Sequence, residues 1–205
     1  MWMLLLANLY FFWQEFRLSP KQLDAFIWSW AIIPRSLFSV PQEHWYTLIT
    51  AMFLHGGWLH LLSNLLFLYI FSRPIEDQFG TLKFLIFYFT VGIVANSAQA
   101  YALRSTQLPL LGASGAIAGV LGAYFFYFPH SRITALLPVG IFITIRDIPA
   151  FFFLGLWFLL QIMNSTFQLS APSLTGGVAW WAHACGFMAG ILLAPVFGPK
   201  KGVQR

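Results

Sequence analysis

The sequence predicts an all-α integral membrane protein, with six transmembrane helices bundled in one domain over residues 1–205 and a long interfacial first loop. Three observations predict it. Hydrophobic residues make up 59% of the chain and charged residues only 8%, against roughly 25% charged in a soluble domain. The apolar residues fall into stretches near the length that crosses a bilayer. The 16 glycines and 11 prolines are scattered and form no repeat, which argues against fibrous and low-complexity architectures.

The expected spans run from Met1 to Phe16, Trp58 to Ile75, Leu82 to Leu103, Ser114 to Phe128, Ile148 to Leu169 and Trp180 to Phe197. The first has no basic segment before it and no small-residue cleavage site after it, so it reads as a retained span and not as a signal peptide. The connection from Arg17 to Gly57 is rich in Trp, Phe and Pro, which suggests a structured element in the interface. The apolar patch Ile133 to Ile145 is too short to cross and contains Pro138 and Gly140. It is expected to lie in the fourth connection.

The net charge of +5 comes from scattered basic residues with no nucleic-acid-binding motif among them, so no nucleic-acid partner is expected. They read as topology signals. If the N-terminus faces the cytoplasm, Arg73, Lys83, Arg132, Arg146, Lys200, Lys201 and Arg205 lie on that side, and Arg17, Lys21, Arg35 and Arg104 lie outside. This bias favours cytoplasmic termini. The single cysteine, Cys185, rules out an internal disulfide and reads as a small packing residue.

Polar groups are costly in hydrocarbon, so those within spans are candidate functional residues. Four stand out: His60 and Asn64, spaced i, i+4 on one face of the second span; Ser114, which opens the fourth; and His183, near the start of the sixth. Spans two, four and six run in the same direction, which puts all four residues toward one end of the membrane, the external one by the charge bias. Ser114 is also expected at a helix N-terminus, where free backbone N–H groups favour an oxyanion. The fourth span is short, about 22 Å against a hydrocarbon core of about 30 Å, so its serine end is expected below the surface, with water reaching it through a polar cavity.

Close approach of the two helices follows from Gly115, Gly119 and Gly122 on one and Gly186 and Gly190 on the other. His183 lies on the glycine face of its own helix, within reach of Ser114. No acidic third member is evident: Glu76, Asp77 and Asp147 are expected near the cytoplasmic end, Glu15 is on the first span, and only Asp24 and Glu43 are outside. The expectation is therefore a Ser/His dyad with a neutral His183 as general base.

The segments Gly112–Tyr124 (GASGAIAGVLGAY), Phe53–Phe67 (FLHGGWLHLLSNLLF) and Trp181–Gly190 (WAHACGFMAG) resemble the rhomboid family of intramembrane proteases. The resemblance covers nearly the whole chain. It implies a six-helix bundle with Ser114 as nucleophile and His183 as base, and with His60 and Asn64 lining the oxyanion hole. Two positions depart from the family pattern. The Trp-Arg pair of the first connection appears as Trp45, Tyr46 and Thr47, and Ala118 stands where some members carry an aromatic that packs on the catalytic histidine. Something else must then hold His183.

On this reading the protein is a serine endopeptidase of the prokaryotic cell membrane. It cuts membrane-spanning proteins through an acyl-enzyme, with no metal or other cofactor. His55 and His60 are poorly spaced for zinc and no HExxH motif follows them. Two other classes compete. Retention of both Ser114 and His183 argues against a catalytically silent relative that binds membrane helices. The lack of an inverted repeat or a row of intramembrane charges argues against a transporter or channel.

Overall fold

The computed structural model describes residues 1–139, 142–170 and 178–198, which are mainly helical. After α1 (Trp2–Phe16), the first connection folds into α2 (Pro20–Trp30), α3 (Pro34–Ser39), α4 (Pro41–His44), α5 (Thr47–Thr50) and a 3-10 turn (Ala51–Phe53). The prolines explain the starts of three of these, since a first helical residue needs no free N–H and proline has the right φ. Hydrogen bonds shape the connection: Tyr46 Oη donates to the Ser29 carbonyl at 3.0 Å, and Thr50 Oγ1 donates to that of Trp30 at 2.7 Å. Ile32 and Leu110 exchange backbone bonds at 3.0 and 2.8 Å, which ties the connection to the segment leading into α8.

The bundle itself is built from α6 (Trp58–Phe79), α7 (Thr81–Ala102), α8 (Ser114–Tyr127), α9 (Ala150–Ser170) and α10 (Trp180–Phe197), with α1 packed on α6. Only Gly80, at φ +77°, separates α6 from α7. A residue with a Cβ would be strained in that left-handed turn.

Every residue of α8 from Gly115 to Ala123 is buried, and α6, α7 and α10 surround it. Its contact with α10 is the most extensive between two helices, and glycines account for it. A Cβ on Gly122 would overlap the carbonyl of Phe187, one on Gly190 that of Gly119, and one on Gly186 that of Gly115. Without a hydrophobic force between helices in lipid, such close backbone packing supplies the attraction.

Among the described residues, three helices are long and apolar enough to cross a membrane: Thr81–Ala102, Ala150–Gln168 and Trp180–Phe197. Pro41–Phe53 together with Trp58–Phe79, bent by 81°, makes a fourth if it counts as one broken span. The other two expected spans are shorter helices, α1 with 15 residues and α8 with 14.

One segment departs from the all-α expectation. The described residues of the patch Ile133–Ile145 lie in two antiparallel strands, β1 (Arg132–Val139) and β2 (Phe142–Pro149), with Arg132 opposite Pro149 and Ala135 opposite Arg146. Isoleucine and threonine favour strands, and backbone groups outside a helix must be paired, here strand to strand. The pairing also delays α9, which begins at Ala150 and not at Ile148. Gly140, Lys200, Lys201 and Arg205 lie outside the described residues.

The glycine contacts generate a stability prediction. Gly122→Ala and Gly190→Ala should each lower stability by about 1–3 kcal/mol, the range for overpacking, because backbone and not a flexible side chain would have to move. Gly155, whose added Cβ would meet nothing closer than Phe125 at 4.0 Å, should accept alanine without loss. Thermal unfolding of the three variants in one detergent checks this.

Candidate active site

Ser114 is the first residue of α8, so the amides around it have no carbonyl one turn back to bond. On α10, His183 projects toward that end. The glycine-mediated contact brings the two together, with His183 Nε2 2.8 Å from Ser114 Oγ. A hydroxyl this close to an imidazole nitrogen can pass its proton to it. His183 Nδ1 lies 3.0 Å from Oε1 of Gln161 on α9, which is 4% exposed. The Trp157 ring, one turn earlier on α9, lies over His183 with centroids 6.0 Å apart and planes inclined by 32°. Trp180 meets the imidazole edge-on at 6.1 Å. α9 thus provides what Ala118 on α8 cannot.

His60 and Asn64 share the face of α6 that turns toward Ser114. The Gly56 amide donates to His60 Nδ1 at 3.4 Å, which leaves Nε2 to carry the proton of the neutral ring. Nε2 and Cε1 lie against Gly112: a Cβ built there would be 2.8 Å from each, and 3.7 Å from Ser114 Oγ. Gly112 has φ +127°, a conformation that side chains resist. A bare, strained backbone thus leaves room for the His60 ring next to the serine. Asn64 is buried, and its Nδ2 has no hydrogen-bond partner among the described residues.

These four residues line a common cavity of about 780 Å³, whose wall also includes Gly57, Trp58 and Val178. A smaller space of about 190 Å³ shares Asn64, Ser114 and His183 with it and is lined also by Phe67, Leu121 and Trp157. The loop before α6 is braced from α1, where the buried Glu15 carboxylate accepts the His55 amide through both oxygens at 3.2 Å. Burial keeps the His55 imidazole in this loop at about 4, below its ordinary value, and neighbouring His60 adds to the effect. Of the remaining acids considered as a third member, Asp147 accepts from Thr134 Oγ1 at 2.7 Å on the strand pair.

Gln161 and Trp157 are not among the residues expected from the sequence, and Glu15, set aside there as a triad acid, braces the loop before His60 instead. Like His60 and Asn64, Gln161 in LGLWFLLQIM is a polar side chain inside an apolar helix. Its spacing of four from Trp157 puts both on one face.

Residues 42–200 match the Rhomboid domain family. The chain is 28% identical over 164 residues to the rhomboid protease GluP of Bacillus subtilis, covering 80% of this chain and 28% of that one. It is 40% identical over 76 residues to the chloroplastic Rhomboid-like protein 11 of Arabidopsis thaliana, covering 37% and 27%. It is 39% identical over 74 residues to Rhomboid-like protease 3 of Toxoplasma gondii, covering 36% and 27%. The chain spans less than half the length of the relatives it matches. With the family match extending over most of its length, this chain belongs to the rhomboid family.

Proposed function

We propose that the protein is an intramembrane serine endopeptidase that hydrolyses peptide bonds in or near the transmembrane segments of membrane proteins. The observation that carries this reading is the 2.8 Å approach of His183 Nε2 to Ser114 Oγ. Family membership supports it, and two of the relatives are named proteases. In this reading Ser114 attacks the carbonyl while His183 takes its proton and then returns it to the leaving amine. Water subsequently resolves the acyl-enzyme by the same route. His60 Nε2–H, the unpartnered Asn64 amide and the free amides at the start of α8 receive the oxyanion.

The same proposal takes α1, α6, α7, α8, α9 and α10 as six spans of one domain over residues 1–205. The α2–α5 connection lies in the interface, the termini are cytoplasmic and the site faces outward in a prokaryotic cell membrane. α8 is about 21 Å long, against about 30 Å of hydrocarbon, which supports a serine sunk below the headgroups and reached through the cavity. A substrate span would have to unwind locally, because a peptide bond inside an intact helix is shielded.

The test is cleavage of a single-span protein with a helix-weakening segment, reconstituted in liposomes. Ser114→Ala and His183→Ala should each reduce cleavage by roughly 10³-fold or more, and Ser114→Ala should abolish labelling by a fluorophosphonate. Uncut substrates that remain bound to folded wild type would point instead to a silent, helix-binding relative. In a second experiment, Asn64→Ala should lower kcat by about 10²-fold with KM unchanged, the cost of removing one oxyanion donor. In steady-state kinetics in detergent, a rise in KM with kcat unchanged would show instead that Asn64 binds ground state and transition state alike.

A further inference from the structure

We infer that Gln161 is a positioning residue that selects the tautomer of His183, taking with a neutral amide the place an acidic residue holds in a triad. The inference rests on the reading of Ser114 and His183 as the dyad. It starts from two hydrogen bonds made by one buried side chain. Gln161 Nε2 donates to the Trp157 carbonyl, one turn back on α9, at 3.0 Å, and Gln161 Oε1 lies 3.0 Å from His183 Nδ1.

A carbonyl only accepts, so the amide end nearest Trp157 must be the NH₂ group. That orientation turns Oε1 toward His183, and an amide oxygen in turn only accepts. The proton on a neutral His183 therefore sits on Nδ1, leaving Nε2 as a bare lone pair at the serine hydroxyl 2.8 Å away. The opposite tautomer would set a lone pair of Nδ1 against a lone pair of Oε1 and a proton of Nε2 against the hydroxyl, and it could not act as a base. The Trp157 carbonyl thus decides which imidazole nitrogen faces the nucleophile, through a chain of two hydrogen bonds along α9 and across to α10.

The proton balance follows. When Ser114 attacks, its proton moves to His183 Nε2, and the ring becomes an imidazolium with N–H groups at both positions. Nδ1–H stays bonded to Oε1, whose dipole stabilises the new charge, while Nε2–H is the proton returned to the departing amine. A carboxylate at position 161 would stabilise the imidazolium more strongly, but it would be a buried charge at rest. An amide avoids that cost. The Trp157 ring limits rotation of the imidazole from one side, so ring plane and tautomer are both set from α9.

The first test is spectroscopic and independent of any substrate. Full-length protein in detergent micelles, with its five histidines labelled with ¹⁵N and His183 assigned through His183→Ala, should show His183 as the Nδ1–H form. A dominant Nε2–H form in wild type overturns the inference. Gln161→Leu, which keeps the bulk but has no acceptor, should show a mixture of tautomers. It should also lower kcat and the rate of fluorophosphonate labelling by roughly 10²-fold, the lower end of what a positioned base supplies, with KM unchanged. Gln161→Glu keeps an acceptor at the same position and should stay within about tenfold of wild type in kcat. Wild-type kcat in Gln161→Leu, or equal losses in the Leu and Glu variants, would show that the residue only packs. If Gln161→Leu does not fold, the wild-type tautomer and the Glu variant decide. Cleavage persisting in Ser114→Ala would remove the dyad itself, while the tautomer measurement would still judge Gln161.

Discussion

The contact between the backbones of α8 and α10 is the constraint from which the rest of the site follows. Gly122 on one helix and Gly186 and Gly190 on the other leave no room even for a Cβ, which would meet the backbone of the facing helix. Distances between side chains that reach across such an interface are therefore set by backbone geometry, with little slack from rotamers. His183 precedes Gly186 by three residues and Gly190 by seven, so it lies on the stripe in contact. Ser114 precedes Gly115, the next point where the helices touch. Moving the helices apart by the width of one methyl group would break the 2.8 Å approach of histidine to serine.

Around that contact, amide side chains do what charged groups do in water-soluble cores. Gln99 on α7 accepts the Ala182 amide at 3.1 Å and donates to Gln168 on α9 at 3.1 Å, while Gln168 donates to the Val178 carbonyl at 2.8 Å. Three helices are thereby joined beside His183 without burying a net charge. Asn96 extends the same principle to the first connection, donating to the Leu48 carbonyl at 2.8 Å. Among these amides Asn64 differs in having a donor with no partner among the described residues, and it is the one that faces the cavity.

Much of this was legible in the sequence because intramembrane polarity and glycine spacing are local signals. His60, Asn64, Ser114 and His183 could be singled out one at a time, and all four line one cavity. Gln161, the partner of His183, carries the same local signal, but its role does not follow from it. Gln161 matters because of what it faces, and that depends on how α9 is rotated against α10, a tertiary property. The strand pair was obscured for a different reason. An apolar run such as Ile133–Ile145 fits a strand, a buried helix or an interfacial segment equally well, and its pairing with itself becomes visible only once both halves are placed. In the first connection the prolines at the starts of α2, α3 and α4 were readable helix signals, although that segment had been read only as structured.

Sequence similarity and hydrogen bonding draw different boundaries for the working unit of this chain. The family match opens at residue 42, after α1 and α2 have already ended. Yet the carboxylate of Glu15, at the end of α1, clamps the amide of His55 in the turn that leads to His60. A domain defined by alignment would omit that clamp and leave the segment before His60 with a buried donor and nothing to receive it. The first helix thus holds up the wall of the cavity that Ser114 and His183 line, and it does so without lining that cavity itself.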